Sequence, residues 1–424
     1  QTHGSTPSPL LLCSSALPPP VEHCLNFQTD FPLWHHYELQ FCPMGTEDEH
    51  PIRPTQACID LGRLTSNYQA IQQYVGAAKV MAVIKANAYG HGLIPVAQHL
   101  EAMGVPYFGV AFPEEGIELR QAGITTPILV LGGIPDSQVS LLIKYDLTAT
   151  ASSVEKLQRL ETAAQAAGKR ATVHLKIDTG MGRIGVHYET AHTLFEAALA
   201  CQHCEIEGVF THLANGDAAD LTHANEQFHY FCQALTFYEQ RGLRPPPLRH
   251  VCNSGGILQL PHAHLEMVRA GIILFGVYPA DETQRTIPLQ AVLTWKSEVV
   301  YFKVLRPHHP IGYGSTWRSP EMTRIVTVPV GYGDGYFRML SNRGQVIIHG
   351  QRYPIVGRVC MDQFMVNIGW DSAYNGDEVI LIGEANGEKI TIEDVATWAQ
   401  TIPYEVLTNI GARVPRVYLN SAVV

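Results

Sequence analysis

The stretch VMAVIKANAYGHGLIPVAQHLEAMGVPYFGVAFPEEGIELRQA, residues 80–122, decides the fold class. It contains two apolar runs, 80–84 and 107–112, and the second leads directly into a helical stretch, 113–122. Nearly continuous apolar strands that alternate with helices are typical of a parallel sheet covered on both faces. The segment therefore predicts an α/β fold.

The same alternation continues to residue 269. Further helical stretches are predicted at 154–167 and 221–241. The predicted strands are 80–84, 107–112, 127–131, 147–151, 171–177, 206–211, 248–252 and 265–269. Eight such units fit a (β/α)₈ TIM-like barrel. A doubly wound open sheet is the alternative, but no GxGxxG follows the first strand.

The pattern changes near residue 289. Short strand runs separated by glycine turns predict a mostly antiparallel β domain over residues 289–424, with one clear helix at 391–400. The predicted strands there are 299–305, 325–330, 345–348, 364–368 and 378–382. The barrel is assigned to residues 53–288, and pairing of segment 53–61 with the C-terminal domain is an alternative.

Composition excludes several function classes. The chain has 424 residues and a formal charge of −10, without a block of Lys or Arg, which argues against nucleic acid or an anionic membrane as a partner. No apolar run is long enough for a membrane helix. Residues 1–52 are rich in Pro, Ser and His, so we expect a disordered extension, with a targeting function as the alternative.

The cysteines do not resemble a disulfide framework. There are nine, an odd number spread along the chain, which favours a reducing, cytoplasmic location. Cys201 and Cys204 form a CxxC, but neither a second pair nor a nearby His pair completes a zinc set. We expect two unrelated cysteines at the end of a helix, and no metal site.

Lys85 follows the first predicted barrel strand directly. Barrel active sites lie at the carboxyl ends of the strands. A partly buried amine there has a lowered pKa and can act as a Schiff-base nucleophile. Taken alone, however, Lys85 fits a solvent-exposed lysine at least as well.

Polar residues also lie at the ends of the later barrel strands or shortly after them, with a glycine after the last strand. They are Lys176, Asp178, Arg183, His212, Asn253, Ser254 and Arg269, and the glycine is Gly271. Ser-Gly-Gly and Gly-Ile after strands seven and eight are typical of a phosphate site in this fold. A lysine facing a phosphate site suits a ligand with an aldehyde and a phosphate, which is pyridoxal phosphate (PLP). A class I aldolase acting on a sugar phosphate is the competing interpretation.

Seven sequence motifs together resemble the motifs of one enzyme family. They are AVIKANAYGHG (82–92), KIDTGMGRIGV (176–186), YGSTW (313–317), VGYGDGY (330–336), GRVCMDQ (357–363), PYEV (403–406) and RVPR (413–416). In this order, over roughly residues 55–420, they resemble the alanine racemases among the fold-type III PLP enzymes.

The resemblance implies a cofactor site at the strand ends. Lys85 would hold PLP as a Schiff base, Arg269 would face the pyridine nitrogen, and His212 would stack on the ring. The residues implied to hold the phosphate are Tyr89, Ser254, Gly271, Ile272 and Tyr404. An arginine, unlike a carboxylate, disfavours protonation of the pyridine nitrogen, which would discourage transamination.

The resemblance also implies a two-base mechanism. Lys85 would take the Cα proton from D-alanine, and Tyr313, reaching the site from the other subunit of a homodimer, would take it from L-alanine. Arg183 and the backbone of Met361 would hold the substrate carboxylate. Further implied roles are carbamylation for Lys176, orientation of a neighbouring side chain for Asp362, and restriction of the substrate side chain for Tyr332 and Tyr404.

The implied function is a PLP-dependent racemase that interconverts L- and D-alanine and supplies D-alanine for peptidoglycan. A broad-specificity amino-acid racemase differs mainly at the tyrosines that restrict the substrate. A PLP-binding homeostasis protein would lack the C-terminal domain with Tyr313. A decarboxylase of the same fold type would carry an acidic partner for the ring nitrogen where this chain has Arg269.

Overall fold

Eight parallel strands close a barrel in the computed structural model, which describes residues 53–420. The barrel strands are Lys79–Val83, Tyr107–Val110, Ile128–Val130, Ala149–Ala151, Ala171–Asp178, Cys204–Phe210, Leu248–His250 and Met267–Ala270. Three backbone hydrogen bonds join the first three strands and the last strand to the other four: Val130 N–H donates to Thr148 O (3.0 Å), Thr148 N–H donates to Ile128 O (2.8 Å), and Arg269 N–H donates to Cys252 O (3.0 Å). The predicted barrel is confirmed, and the extension predicted at 1–52 lies outside the described residues.

Helices cover the outside of the barrel. They are Leu61–Val75, Leu93–Ala102, Pro113–Gln121, Val139–Lys144, Val154–Ala166, Ala191–Ala200, Thr222–Glu239 and Ser254–Gln259. The first shows why they form: Leu64, Tyr68 and Ile71 recur at helical spacing and are buried, and the side chain of Asp60 caps the helix by accepting a hydrogen bond from Arg63 N–H (3.0 Å). Among the described residues, no helix is long and apolar enough to cross a membrane.

The second domain is built on one large sheet. Its strands, in spatial order, are Tyr301–Leu305, Thr323–Val328, Phe364–Gly369, Gln351–Val356, Gln345–Ile348, Glu378–Ala385, Leu293–Glu298, Gln56–Asp60 and Arg416–Leu419. Glu388–Ile390 pairs with Glu378–Ala385, and Pro310–Ile311 forms a separate hairpin with Trp317–Arg318. All pairings are antiparallel except that of Gln56–Asp60 with Arg416–Leu419, so the mostly antiparallel prediction is confirmed.

Residues before the barrel are part of this sheet. Gln56–Asp60 pairs with Leu293–Glu298 on one side and with Arg416–Leu419 on the other. The described part of the chain thus begins in the sheet of the second domain and crosses to the barrel through helix Leu61–Val75.

The prediction of a single clear helix in this domain is incomplete. Helix Ile392–Ala399 is present with the expected capping box, in which Thr391 and Asp394 exchange hydrogen bonds. A second helix, Pro403–Thr408, follows it. Because that helix has only six residues, it is too short to show a helical period in the sequence.

Candidate active site

Lys85 begins an unusual turn at the carboxyl end of the first barrel strand. The four residues after it, 86–89, have φ angles of 54°, 55°, 52° and 51°, which is the left-handed region. Left-handed backbone costs about 1–2 kcal/mol per non-glycine residue. Surrounding contacts must therefore hold this turn in place.

Contacts from both domains do so. The carboxylate of Glu115 accepts hydrogen bonds from the N–H groups of Ala86 (2.6 Å) and Ala111 (2.7 Å). From the second domain, Arg416 donates to Gly90 O (3.0 Å), and Tyr418 donates to His91 O (3.1 Å). The position of Lys85 thus depends on the second domain as well as on the barrel.

Both lysines of the site have lowered pKa values. Burial is the main cause at Lys85, Arg183 adds to it, and Glu115 opposes it. Lys176 is only 4% exposed, and burial, Arg269 and Arg183 hold its pKa well below the usual range. Its ammonium nitrogen lies 4.2 Å from the centre of the Phe210 ring. Both amines are accordingly biased towards the neutral, nucleophilic form.

A cavity of about 140 Å³ opens at the strand ends. Its lining residues are Val83, Lys85, Tyr89, Leu131, Lys176, Arg183, Ile184, Phe210, His212, Asn253, Ser254, Arg269, Gly271 and Tyr404. Most residues implied for the cofactor site are therefore brought together. Ile272 is fully buried directly after Gly271 and does not line the cavity.

Arg269 is held rigidly at the bottom of this cavity. It is 3% exposed and donates to Thr211 O (2.8 Å), Val251 O (2.8 Å) and His250 O (3.0 Å). It also contacts Nδ1 of His250 (2.9 Å) and Nδ1 of His212 (3.3 Å). Burial lowers its pKa to about 10, and no carboxylate pairs with it among residues 53–420. It remains a cation near neutral pH.

A buried chain of hydrogen bonds runs from Arg269 across the barrel interior. Because arginine only donates, Nδ1 of His250 must accept, and the proton of that ring lies on Nε2. His250 then donates to Nδ1 of His174 (2.8 Å), and His174 donates to Glu207 (3.0 Å). Tyr107 donates to the same Glu207 oxygen (2.8 Å). The chain thus fixes both tautomers and ends on a carboxylate.

The other end of the cavity is narrow and rich in donors. Ser254 begins helix Ser254–Gln259, and its hydroxyl accepts a hydrogen bond from Gly271 N–H (3.0 Å). A Cβ atom on Gly271 would lie 2.5 Å from the Tyr89 hydroxyl and 3.4 Å from the Ser254 hydroxyl. Glycine is therefore needed there to leave room between the two hydroxyls. Backbone N–H groups and hydroxyls at a helix start suit a phosphate group.

The remaining predicted residues lie elsewhere in the same chain. Tyr313 is 70% exposed, Met361 53% and Tyr332 43%, and none of them lines the Lys85 cavity. Asp362 accepts a hydrogen bond from Arg413 (2.7 Å). A single chain thus supplies the lysine side of the proposed site but leaves Tyr313 on its surface.

Sequence reasoning missed two contributors. Phe210 is a wall residue: its ring stacks on His250 at 4.6 Å and lies under Lys176. It looks like any apolar strand residue in the sequence. Glu115 follows the second strand and supports the turn at Lys85. The one signal for it is its position in the first turn of helix Pro113–Gln121.

Comparison with known proteins identifies the family. A family model described as alanine racemase, N-terminal domain, matches residues 59–279, and one described as alanine racemase, C-terminal domain, matches residues 292–418. The chain is 42% identical over 371 residues to alanine racemase 2 of Caldanaerobacter subterraneus subsp. tengcongensis, covering 87% of this chain and 95% of that relative. The chain belongs to the alanine racemase family. The family resemblance of the seven motifs is thereby confirmed.

Solved structures of the family agree. Alanine racemase of Clostridium difficile 630 superposes with a TM-score of 0.82 at 39% identity, covering 87% of this chain and 96% of that one. The structure of alanine racemase from Bartonella henselae with covalently bound pyridoxal phosphate has a TM-score of 0.79 at 30% identity, covering 86% and 99%. Both fold domains of the chain are therefore those of the family.

Proposed function

We propose that this protein is a PLP-dependent racemase that interconverts L-alanine and D-alanine. The observation that carries the proposal is the cavity that joins Lys85, the pair Ser254–Gly271, and a buried Arg269 that has no carboxylate partner within residues 53–420. Membership of the alanine racemase family supports it. The supply of D-alanine for peptidoglycan and a cytoplasmic location are parts of the proposal that rest on the family resemblance.

The residues of the cavity fit PLP. The gap that Gly271 leaves beside the hydroxyls of Tyr89 and Ser254 would take the phosphate, and Lys85 would hold the cofactor covalently. Bound PLP supplies an electron-withdrawing ring that acidifies the Cα–H bond of the amino acid. Arg269 would face the ring nitrogen and, as a cation, disfavour its protonation.

Two bases are needed because the proton leaves one face of Cα and returns to the other. Nζ of Lys85 would serve D-alanine, and the Tyr313 hydroxyl would serve L-alanine. A tyrosine is almost fully protonated at neutral pH, so it needs hydrogen-bonding neighbours to act as a base. Since Nδ1 of His212 faces Arg269, its other nitrogen is left to donate to such a partner. Arg183 and the backbone of Met361 would hold the substrate carboxylate.

We also propose that Tyr313 reaches the site of a partner subunit. Its exposure and its absence from the Lys85 cavity of its own chain support a homodimer with shared sites. Tyr332 and Tyr404 would then restrict the substrate to a small side chain, which favours alanine over a broad-specificity racemase.

Carbamylation of Lys176 belongs to the same proposal. A neutral lysine amine reacts with carbon dioxide, and burial with two neighbouring arginines favours the neutral amine here. The resulting anion would compensate the charges of Arg269 and Arg183. Incubation with ¹³C-labelled bicarbonate should give one carbamate signal in carbon NMR that the Lys176→Ala variant lacks. Absence of the signal from the wild type would refute this part.

The function is tested by proton NMR of the purified protein with PLP and L-alanine in D₂O, together with a chiral assay. Loss of the Cα proton together with the appearance of D-alanine is expected. Exchange without inversion would indicate that Lys85 works and that Tyr313 is misassigned. PLP binding with neither exchange nor inversion would indicate a cofactor-binding protein instead. L-serine and L-lysine assayed in parallel separate an alanine-specific enzyme from a broad-specificity one.

A further inference from the structure

Three potential metal ligands meet at the end of the barrel opposite to the active-site cavity. Cys201 directly follows helix Ala191–Ala200, Cys204 begins the barrel strand Cys204–Phe210, and Glu161 lies in helix Val154–Ala166. Their two sulfur atoms and one carboxylate oxygen all lie within 4.8 Å of one another. His203, between the two cysteines, is hydrogen-bonded to Glu161, and the fold provides Glu161 itself as the third ligand from a neighbouring helix.

The carboxylate of Glu161 is already fixed in place. One of its oxygens accepts hydrogen bonds from the N–H groups of Gln202 (2.9 Å) and His203 (2.8 Å), and from Nδ1 of His203 (2.9 Å). Burial works against its charged form, but these N–H groups outweigh burial and hold its pKa at about 2. No Lys or Arg pairs with it in residues 53–420. The negative charge is thus held without a permanent counter-ion.

The two thiols have raised pKa values, which do not suit a nucleophile. Burial, followed by Glu161, raises the pKa of the Cys201 thiol to about 11. Burial, followed by Cys201, raises the pKa of the Cys204 thiol further still. Cys201 donates a hydrogen bond to Ala197 O (3.4 Å), and both sulfur atoms lie within 4.8 Å of a Glu161 carboxylate oxygen, where a cation would bind. Reactive cysteines need the opposite environment, one that stabilises the thiolate.

We propose that Glu161, Cys201 and Cys204 bind one thiophilic divalent cation of the Zn²⁺ type. Two thiolates, one carboxylate and a water molecule complete the four-coordinate set that zinc prefers. His203 remains the hydrogen-bond partner of the carboxylate and orients it, as groups behind a metal ligand commonly do. Cys201 is partly exposed, which leaves a path for the cation and the water.

Binding involves no oxidation or reduction. Two S–H bonds break, two protons go to solvent, and two S–metal bonds form. Because protons are released, affinity should rise with pH. The bound cation would link helix Val154–Ala166 to the turn between helix Ala191–Ala200 and the sixth barrel strand, stabilising the barrel far from the catalytic residues.

The test is a Co²⁺ titration of the reduced, full-length holoprotein. Tetrahedral cobalt bound to thiolate gives d–d absorption at longer wavelengths than PLP absorbs. We expect one equivalent to bind with such bands, and Zn²⁺ to displace it. Cys201→Ser/Cys204→Ser should remove the bands, and Glu161→Gln should weaken binding at least tenfold.

Two controls test whether cysteines before residue 53 bind the cobalt and whether the double variant keeps its fold. Cys13→Ser/Cys24→Ser/Cys42→Ser changes cysteines before residue 53 and should keep the cobalt bands. Racemase activity of Cys201→Ser/Cys204→Ser should be unchanged. The proposal is overturned if the wild type gives no bands, or if the bands persist in Cys201→Ser/Cys204→Ser or vanish in the triple variant. A Cys201–Cys204 disulfide found by mass spectrometry under the same reducing conditions would also overturn it.

Discussion

Arg183 and Glu115 exert opposite effects on Lys85. Burial is the largest cause of its lowered pKa, Arg183 lowers the pKa further, and Glu115 raises it. The neutral amine is the form that captures an aldehyde. Removing Arg183 should therefore raise the pKa of Lys85 and reduce the neutral fraction at any given pH.

The corresponding prediction concerns Arg183→Gln. The rate at which the apoprotein captures PLP should decrease as the pH is lowered, and the midpoint of this decrease should lie at a higher pH in the variant than in the wild type. The measurement is the rate of the absorbance change that accompanies PLP binding, followed across pH. Arg343→Gln changes an exposed arginine elsewhere and should leave the midpoint in place. If Arg183→Gln lowered the maximal rate of PLP capture without shifting the midpoint pH, the electrostatic role of Arg183 would be contradicted.

The left-handed turn after Lys85 is the element that brings the lysine into the cavity. Glu115 supports the turn by accepting hydrogen bonds from two separate segments. One carboxylate oxygen accepts from Ala86 N–H, and the other accepts from Ala111 N–H. A glutamine there has one accepting oxygen, and its NH₂ group would face a backbone donor. Losing one hydrogen bond to this charged acceptor costs about 1–3 kcal/mol.

Glu115→Gln should therefore lower the free energy of unfolding of the apoprotein by about 1–3 kcal/mol, and should release PLP faster. Urea unfolding and the rate of PLP dissociation are the measurements. Glu118→Gln, in the same helix but exposed, should change stability by about 0.5 kcal/mol or less. Equal effects of the two substitutions would show that the turn does not depend on Glu115.

Elements with local signals were predictable from the sequence, and elements fixed by distant contacts were not. The eight barrel strands and the strand-end position of Lys85 follow from apolar runs and the residues after them. Strand Gln351–Val356 was missed, because Pro354 disfavours a strand, although here it pairs opposite Gln345. The left-handed turn was missed because it is stabilised by Glu115 and by the second domain, which no local pattern reveals.

The same limit applies to the candidate site. The motifs identified the polar residues that line the cavity, since those lie at strand ends. They did not identify Phe210, an apolar strand residue that becomes a wall only when the barrel closes. They also did not associate Glu161 with the CxxC pair, because Glu161 lies in a helix about 40 residues earlier in the chain, whereas the pair lies at the start of a strand.

At the scale of the whole molecule, buried histidines make folding sensitive to acid. His91, His174 and His250 are fully buried, and burial lowers the pKa of each, that of His91 to about 4. In the unfolded chain a histidine titrates near pH 6.5. Below about pH 6.5 the unfolded state therefore binds protons that the folded state does not, and the free energy of unfolding decreases as the pH is lowered.

The prediction concerns the slope of the unfolding free energy against pH. Between its two pKa values each such histidine should contribute about 1.4 kcal/mol per pH unit to the loss of stability. Urea unfolding at several pH values between 7 and 5 measures the slope. His91→Gln should flatten it by about that amount, whereas His192→Gln, at an exposed position, should not. A wild-type unfolding free energy that is constant over this range would contradict the assignment.

At the largest scale, the proposed site depends on the proposed homodimer. Tyr313 is 70% exposed and lies outside the cavity that holds Lys85. If it serves a partner subunit, the variants Lys85→Ala and Tyr313→Phe should complement each other. In a mixed dimer, one site combines the intact Lys85 of one chain with the intact Tyr313 of the other, while the second site lacks both.

Unfolding and refolding an equal mixture of the two variants should give about half mixed dimers, each with one working site of two. The specific activity should then rise to about a quarter of the wild-type value, while each variant refolded alone stays nearly inactive. Gel filtration verifies that the refolded protein is dimeric. If Tyr313 instead served its own chain, every site in the mixture would lack one base, and mixing would restore nothing. Full activity in a monomer would exclude the shared site.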